Sequence, residues 1–532
     1  MEIFRVMGIE HEVYRQAAPS DRAGRTAWYT GFGKEGREII SRDAWGGGKY
    51  AEEYAGFSAT KYSILPQIRL EPILRRRAEE LNPGMVVFNT EVLDVQEQGD
   101  GVNVQVKSRE TGKEDVHRAR YVFISDGGRM FTKKLAIEWK GERDMMEMVT
   151  AHFASPLHLQ HPDPRNFITW FSNPNMGGGT RTGYLYQIGP WPVGNLEDQE
   201  WVFACARTEE DPANFDDISM LKRLRKTLGI PDLPVRMLSF SHWKVNAIYA
   251  ERWRCGRIFL LGDAAHKIPP WGALGMNTGI QDVQNLVWKI EFALRDEAGY
   301  DRLLDTYETE RLEVGRRVGQ TSANNMRSHS DVMDQALGMS ATKSPEENRN
   351  AIAPFFDPNH PDHERMQAAV GRAQKILDSE FKAPGSEVGW FYPSVDMANE
   401  GGVDHGGQRL PDGSLNTEFY FPSTIPGHHL PHCELEKDGN KIPILDLVPL
   451  RALALFHEGA ATPELTDERV RLVHIGPGGY DDTSGNWRKV CGVSTSGGVL
   501  VRPDGIVAWR GDLKSFSRAT WRALLDRILH FQ

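Results

Sequence analysis

The period of the apolar pattern changes near the middle of the chain. Residues 257–261 are mostly apolar and β-prone, as is typical of a buried strand, and this run stops at Gly262 and Asp263. From Thr278 onward the apolar residues follow helical spacing, at Ile280, Val283, Leu286, Val287 and Ile290. The pattern predicts a strand, a loop rich in glycine and proline, and a helix that begins near Thr278.

The end of this predicted strand is a candidate ligand site. Ligands in open α/β sheets bind just outside the carboxyl ends of the strands. Asp263 can accept hydrogen bonds from sugar or ribitol hydroxyls, and Gly262 lets the main chain approach a ligand closely. The helix start adds free N–H groups and the positive end of a dipole. The alternative is an ordinary strand–loop–helix unit with a capping aspartate.

The remaining pattern divides the chain into regions. Residues 62–80 begin extended and become helical, and short alternating runs then predict strands at 85–88, 91–96, 102–107 and 120–124. From about Met146 to Trp253 the period is mainly two with turn signals, which predicts a mostly antiparallel sheet. Helical patterns follow to about Lys375. A connection rich in Gly, Pro and Asn from Pro384 to Asn416 marks a domain boundary.

Composition narrows the class of protein. A chain of 532 residues is long enough for three domains, and its net charge of −10 argues against a nucleic-acid partner. No apolar run reaches the roughly 18 residues of a membrane helix, and the charged start has no signal-peptide core, so we expect a cytoplasmic protein without a membrane partner. The four cysteines are widely spaced without a CxxC and are expected to be reduced, mostly structural thiols.

The segment after Asp263 carries a family resemblance. Its residues Pro269, Pro270, Gly275, Asn277 and 279–282 closely resemble the second flavin-contacting motif of the single-component aromatic flavoprotein monooxygenases, in their phenol hydroxylase and chlorophenol hydroxylase branch. In that family the Gly-Asp pair binds the ribitol of FAD, and the helix start stabilises negative charge on the reduced flavin. The resemblance implies FAD contacts from Gly262, Asp263, Pro270, Gly275, Met276 and Asn277.

Two earlier segments resemble the same family. Gln67 stands in an element similar to the family's LPQ…LE sequence, whose glutamine contacts the flavin. Asp126 and Gly127 resemble the Asp-Gly motif shared between FAD and NAD(P)H binding, although Met130 and Lys134 replace the usual serine and distal arginine. The alternatives are a polar residue at a helix entry for Gln67 and a plain β-turn for the Asp-Gly pair.

The resemblance implies an α/β fold. A doubly wound, glutathione-reductase-like FAD-binding domain is expected in two parts, residues 1–145 and 254–395, around an inserted antiparallel β-sheet substrate domain at 146–253. Residues 400–532 resemble the branch's thioredoxin-like C-terminal domain. Since redox thioredoxin chemistry needs a CxxC, we expect this domain to be structural or an interface, as in a homodimer.

The front of the family pattern is missing from the sequence. Relatives open with a strand, a GxGxxG turn and a helix that bind the ADP half of FAD, and this chain contains no such segment. The glycine triplets at 46–48 and 177–179 neither follow a buried strand nor open a helix. We expect a truncated front, with a genuinely shortened protein as the alternative.

The implied activity is that of an oxidoreductase. It is an FAD-dependent, NAD(P)H-using monooxygenase that takes dioxygen and hydroxylates a phenolic or other aromatic compound through a flavin C4a-hydroperoxide. Two alternatives stay open: a non-catalytic or truncated homologue that does not retain FAD, and a flavin oxidase or dehydrogenase on the same fold.

The catalytic residues stay unassigned at this point. Tyr184, Tyr186, His152 and His242 are candidates to line the substrate pocket, with sheet packing as the alternative for each. His266 is expected to orient its neighbours rather than act as a base. No metal is expected, because the cluster His428, His429, His432 and Cys433 lacks the partner pair of a closed zinc site.

Overall fold

The computed structural model describes residues 1–192, 194–392, 405–459 and 463–531. Its helices are α1 Glu2–Val6, α2 Glu10–Gln16, α3 Ala51–Ala55, α4 Gln67–Leu81, α5 Phe131–Lys134, α6 Gly179–Thr182, α7 Asp217–Leu228, α8 Gly275–Arg295, α9 Glu297–Ala336, α10 Pro345–Phe356, α11 His363–Ile376, α12 Asp378–Phe381, α13 Pro384–Glu387, α14 Asn486–Val490 and α15 Arg518–Ile528. These helices separate and flank several β-sheets.

The strands are β1 Arg25–Tyr29, β2 Glu38–Asp43, β3 Thr90–Gln98, β4 Gly101–Ser108, β5 Glu114–Ala119, β6 Val122–Ile124, β7 Trp139–Ala154, β8 Ile168–Phe171, β9 Tyr184–Gly189, β10 Glu200–Ala206, β11 Arg236–Ala250, β12 Arg254–Cys255, β13 Ile258–Leu260, β14 His266–Lys267, β15 Glu434–Lys437, β16 Asn440–Pro443, β17 Leu453–His457, β18 Val470–His474, β19 Gly497–Val501 and β20 Val507–Asp512. This mixture of helices and sheets confirms the predicted α/β class.

A small sheet of order β12-β13-β6 contains the strands that precede the candidate ligand-binding residues Asp126 and Asp263. Strand β13 is buried throughout and runs parallel to β6, with Leu260 opposite Ile124. The N–H of Leu261 donates to the carbonyl of Ile124 over 2.9 Å. Because the two strands are parallel, their carboxyl ends meet at one edge, which we call the strand edge.

Helix α8 begins earlier than the apolar pattern predicts. It starts at Gly275 rather than near Thr278, and its N-cap Leu274 makes no side-chain cap. The residues of the extra turn, Gly275, Met276 and Asn277, are not core-facing, since Met276 is 42% exposed. An apolar period cannot reveal a helical turn that buries no apolar side chain.

The large sheet has the order β14-β11-β7-β10-β9-β8-β1-β2. All its neighbouring strands are antiparallel except the parallel pair β1 and β8. It therefore takes two strands from before residue 146, and β7 begins at Trp139, so the sheet is wider than the predicted 146–253. Strand β1 is buried on both faces, which removes the alternation on which the prediction depends.

The predicted strand at residues 85–88 is wrong. This stretch follows the end of α4 as irregular chain, with Met85, Val87 and Phe88 each more than half exposed. The carboxylate of Glu79 accepts the N–H groups of Gly84 and Val86 and so holds the turn. An apolar run without buried neighbours gives no strand.

The C-terminal unit has a four-stranded sheet of order β18-β17-β19-β20 with α14 and α15. Strands β17 and β18 are parallel and the other pairs antiparallel. The predicted boundary at 395–400 lies outside the described residues. All four cysteines are free thiols. No helix in the described part of the chain is both long and apolar enough to cross a membrane.

A buried charge network ties these units together. It consists of three carboxylates and three cations, each at most 5% exposed: Asp282, Glu310 and Asp504 with Lys289, Arg311 and Arg502. Both oxygens of Glu310 accept from Arg502, over 2.6 and 2.9 Å, and one also accepts from Lys289 over 2.8 Å. The network thus joins α8, α9 and the C-terminal unit.

A further buried carboxylate, outside this network, fastens α9 to the large sheet. Asp334 accepts hydrogen bonds from the Ser172 hydroxyl over 3.1 Å and from the Gly179 N–H over 2.7 Å. Burial raises the pKa of Asp334 from 3.8 to about 6. The turn that follows β8 is therefore held by a carboxyl group that titrates near neutral pH.

We predict that Glu310→Gln destabilises the protein strongly. The substitution removes the negative charge that Lys289 and Arg502 share, so a buried positive charge is left without a partner. This costs about 3–5 kcal/mol. Glu291→Gln is the control, because Glu291 and Arg295 form a partly exposed pair, 3.1 Å apart, of a kind worth about 0–1 kcal/mol. Thermal unfolding measures both variants, and equal shifts in Tm would contradict the role of the network.

The Asp334 carboxyl predicts a pH dependence. A folded-state pKa above the unfolded value means that the native state binds the extra proton between pH 3.8 and about 6, so stability is lost as pH rises through this window. The loss is about 2–3 kcal/mol for a shift of this size. Relative to Asp334→Asn, the wild type should therefore lose Tm between pH 4 and pH 7. A pH-independent difference in Tm between the two proteins would show that Asp334 does not titrate in this range.

Candidate functional site

Two aspartates follow the paired strands at the strand edge. Asp126 comes after β6 and Asp263 after β13. The loops touch, since a Cβ on Gly128 would lie 3.2 Å from the Asp263 carbonyl oxygen. Gly128 has a φ of +64°, a backbone conformation that residues other than glycine rarely adopt. Glycine thus allows the two acidic loops to come together.

The two carboxylates have different surroundings. That of Asp126 accepts the N–H groups of Gly128 and Met130 over 2.8 Å each and of Phe131 over 3.1 Å. Asp263 is exposed, and its carboxylate bonds to no residue in the part of the chain that the structure describes. Asp126 therefore shapes its own loop, which places Gly127 at the edge, whereas Asp263 is open to a ligand.

The N-terminus of α8 faces the same edge. A Cβ on Gly279 would lie 3.2 Å from the Gly262 Cα, so the helix and the strand-end loop touch through two glycines. The uncapped first turn contributes N–H groups without intrahelical partners and the positive end of the helix dipole. Pro270 is exposed at the start of the connecting loop, and the Asn277 side chain closes that loop by donating to Ala273 O over 3.0 Å.

A buried aspartate fixes the position of this helix. Asp282 accepts from His266 Nε2 over 2.7 Å and from Arg311 Nε over 2.8 Å, and it also accepts the Gly262 N–H over 3.3 Å. Burial by itself raises the pKa of Asp282, and His266 and Arg311 together lower it below its ordinary value. A charged Asp282 thus links strand end, helix and histidine. His266, at 1% exposure, has the geometry of an orienting residue.

Gln67 is the first residue of α4, directly after Pro66. Its side chain is exposed, and its amide donates to Glu71 over 2.6 Å one turn along the helix. The buried face of α4, through Leu70, packs in one cluster with Ile280 of α8. The structure therefore brings the start of α4 and the second turn of α8 into one apolar cluster.

A belt of aromatic rings leads from the segment just before α4 onto the large sheet. Neighbouring rings lie 4.6–6.4 Å apart between centroids along the aromatic belt Tyr62, Trp45, Phe167, Tyr186, Tyr184 and Trp170. Tyr62 is 45% exposed, and the Trp170 indole N–H is buried without a partner among the described residues. Burial raises the pKa of Tyr186 to about 12, so its hydroxyl stays protonated at neutral pH.

The two histidines predicted beside these tyrosines have partners outside the belt. His152 shares the sheet face of Tyr184, but its Nε2 lies 2.8 Å from Glu200, which also pairs with Arg69. His242 contacts the Phe215 carbonyl over 2.9 Å and packs on Phe240 in the cluster on the opposite face. Of the four predicted pocket residues, only the tyrosines join the belt.

The histidines and the cysteine near residue 430 face different neighbours in the structure. His428 Nε2 lies 3.0 Å from His405 Nδ1, and His429 faces Glu2 at 3.6 Å. Cys433 is 1% exposed in the core of the C-terminal unit. Within the described ranges no three such side chains converge as metal ligands.

Sequence reasoning missed Trp45, Tyr62, Phe167 and Trp170 of the belt, together with the partners of Asp282. The belt residues lie in four separate segments, and no local period marks them. One signal was available for Asp282, since a charged residue stands at a core-facing position of α8, where Leu286 and Ile290 follow at helical spacing.

Two sequence families match this chain. Residues 1–322 match the family described as FAD binding domain, and residues 423–530 match that described as aromatic-ring hydroxylase, C-terminal. Phenol 2-monooxygenase of Pseudomonas sp. (strain EST1001) is 31% identical over 527 residues, which cover 96% of this chain and 82% of that protein. 2,4-Dichlorophenol 6-monooxygenase of Delftia acidovorans is 29% identical, over 99% of this chain and 90% of that protein.

A solved structure is similar over nearly the whole chain. The flavin-dependent monooxygenase PieE, in complex with FAD and substrate, matches with a TM-score of 0.88 and 27% identity, covering 99% of this chain and 90% of that one. The family matched at residues 1–322 takes in the strand edge, α4 and the start of α8, and it accounts for more than half of the chain. The chain belongs to the FAD-binding aromatic-ring hydroxylases.

Proposed function

We propose that this protein binds FAD at the strand edge and, with NAD(P)H and dioxygen, hydroxylates a phenolic ring held against the aromatic belt. One observation carries the proposal: the carboxylate of Asp263 bonds to no described residue, and the preceding Gly262 touches Gly279 near the uncapped start of α8. A carboxylate accepts hydrogen bonds from the ribitol of FAD, and a helix N-terminus suits negative charge on the reduced ring.

The residues at the edge fit FAD. We assign the contacts to Gln67, Asp126, Gly127, Gly262, Asp263, Pro270, Gly275, Met276 and Asn277. Asp126 acts through its loop, because its own oxygens are taken by three N–H groups. A Cβ on Gly279 would be tight against Gly262, at 3.2 Å, and Gly262 has a φ of +54°, so glycine suits both positions where the main chain must approach the cofactor. Bound FAD supplies the redox chemistry that activates dioxygen.

The aromatic belt supports a phenolic substrate. Flat rings stack on or meet the edges of other aromatic rings favourably. The Tyr184 and Tyr186 hydroxyls stay protonated at neutral pH, because burial raises the pKa of both, and they can donate to a phenolic oxygen. Relatives named for phenol and 2,4-dichlorophenol favour the same substrate class. The chain's part is to hold the ring, exclude water and stabilise charge.

The C-terminal unit has no thiol chemistry in this proposal. Burial raises the pKa of Cys433 to about 12, so that thiol is protonated at neutral pH and unreactive. We propose a structural or homodimer-interface role for this unit and a cytoplasmic location for the enzyme.

Labelled dioxygen tests the reaction. With FAD, NAD(P)H and a phenol supplied, we expect one ¹⁸O atom from ¹⁸O₂ in each hydroxylated product, since the oxygen comes from dioxygen rather than water. Mass spectrometry measures the label. A flavin oxidase on the same fold would instead yield hydrogen peroxide and an unlabelled aromatic product.

Asp263→Ala tests the cofactor site. Each hydrogen bond left unmade to FAD costs about 1–3 kcal/mol, so we expect FAD affinity to fall about 10–100-fold. The Tm of the protein without FAD should not change, because Asp263 is exposed and bonds to no described residue. Asp126→Ala is the matched comparison, and it should lower that Tm because it frees three N–H groups of its loop. Full FAD occupancy in Asp263→Ala would refute the assignment.

A further inference from the structure

Two further rings close the aromatic belt into a circle. Phe381 of α12 has its ring centroid 5.6 Å from that of Trp45 and 6.4 Å from that of His329 on α9. The His329 ring is in turn 3.7 Å from that of Trp170. The aromatic circle consists of Trp45, Phe167, Tyr186, Tyr184, Trp170, His329 and Phe381. Of these side chains only the imidazole can take up a proton near neutral pH.

Several polar atoms of the aromatic circle have no partner. Within the described ranges no residue bonds to the hydroxyls of Tyr184 and Tyr186, to the indole N–H of Trp170 or to Nε2 of His329. The Trp170 nitrogen is enclosed, whereas the two hydroxyls and the His329 Nε2 are not. Because buried polar groups are nearly always paired, unpaired groups around one circle indicate a ligand that brings a polar group to it.

A carboxylate orients the imidazole of His329. Its Nδ1 lies 3.0 Å from Glu380 Oε2, and the two side chains are only 6% and 5% exposed. Since a carboxylate only accepts hydrogen bonds, Nδ1 carries the hydrogen of the neutral ring, and the lone pair is on Nε2. Trp28 and Trp170 pack against the same imidazole, with 5.8 and 3.7 Å between ring centroids, and restrict its orientation. His329 therefore presents a fixed, unpaired proton acceptor to the circle.

The tyrosines of the circle supply the opposite function. Burial raises the pKa of both Tyr184 and Tyr186, that of Tyr186 to about 12, so their hydroxyls stay protonated at neutral pH. They can donate hydrogen bonds to a phenolic oxygen, but they do not take its proton. The aromatic circle thus combines donors for the oxygen of a phenol with an acceptor for its hydrogen.

We propose that His329 is the general base of the hydroxylation and that Glu380 is its positioning residue. This inference rests on the proposed function and adds the group that takes the proton of the substrate. The phenolic O–H bond breaks, its electron pair stays on oxygen, and the proton forms a new N–H bond at His329 Nε2. The products are a phenolate and an imidazolium, whose charge Glu380 balances across Nδ1. The phenolate oxygen raises the electron density of the ring carbons ortho and para to it.

The ionisation of a bound phenol tests this assignment without turnover. The probe is 4-nitrophenol on the FAD-loaded protein, because its phenolate absorbs at longer wavelength than its un-ionised form, as a difference spectrum shows. At a pH where the free probe is mostly un-ionised, the wild type should hold it mainly as phenolate. His329→Gln keeps an amide donor for Glu380 but has no basic lone pair. The ratio of bound phenolate to phenol should therefore fall about 10–100-fold.

Two further variants separate the base from its surroundings. Glu380→Gln removes the charge that balances the imidazolium, so the same ratio should fall about tenfold, and this variant carries the test if His329→Gln does not fold. His242→Gln is the matched control. His242 also faces a glutamate, Glu147 at 3.6 Å, but it lies on the opposite face of the large sheet, so the probe should bind as it does to the wild type.

The pH profile of turnover gives a second readout. At neutral pH the kcat of His329→Gln on phenol should fall about 100-fold or more with little change in KM, since a general base contributes a factor of this size. The rate should recover as pH rises, because the substrate then arrives as phenolate. Recovery should come at lower pH with 2,4-dichlorophenol, whose chlorine atoms make it the stronger acid.

Distinct outcomes would overturn the base and the function. The assignment of His329 fails if the wild type binds the probe un-ionised, or if folded, FAD-loaded His329→Gln and Glu380→Gln keep the wild-type ratio. A loss of turnover that no pH restores would also overturn it and leave His329 a packing role. A wild type that binds no phenol, or that puts no oxygen from dioxygen into the product, would instead overturn the proposed function.

Discussion

The balance of buried charges constrains how the helices around the strand edge are arranged. Three carboxylates and three cations are buried together, and Asn285 bridges them by donating to Glu310 over 2.7 Å. The same network reaches the functional edge, since Arg311 binds both Asp282 and the Thr278 carbonyl of α8. The direction of the helix that faces Asp263 therefore depends on Arg502, a residue of another structural unit. Removing any one member of such a network leaves a buried charge uncompensated.

Much of the edge was predictable because its signals are local. The strand before Gly262, the loop and the helix lie within about forty residues of one another, and each has its own period or turn chemistry. The difference between Asp126 and Asp263 was not predictable. Both follow a short strand beside a glycine. Only the folded loop shows that three N–H groups occupy the Asp126 carboxylate, whereas no described residue bonds to that of Asp263.

Long-range contacts could not be predicted from the sequence, for a physical reason. Glu310 and Arg502 are 192 positions apart, and the pair leaves no mark in either neighbourhood. Strand β1 lost its alternation because both of its faces are covered, by the cluster of Trp28 on one side and that of Tyr29 on the other. The belt combines rings from loops and strands whose periods differ. The long helices after residue 275, by contrast, followed from spacing. The first turn of α8, which buries no apolar side chain, and helix α7, inside the region predicted as sheet, were missed.

The parallel pairing of β1 with β8 has a consequence for the time course of synthesis. Thr26 pairs with Ile168, which is 142 positions later in the chain. A ribosome that adds roughly 5–20 residues per second needs about 7–28 s to make that intervening stretch. During this interval the β1–β2 hairpin emerges with Trp28, 2% exposed in the finished protein, uncovered by its partner strand. Chaperones in the cell would therefore have to shield this hairpin for longer than any strand whose partner follows it directly.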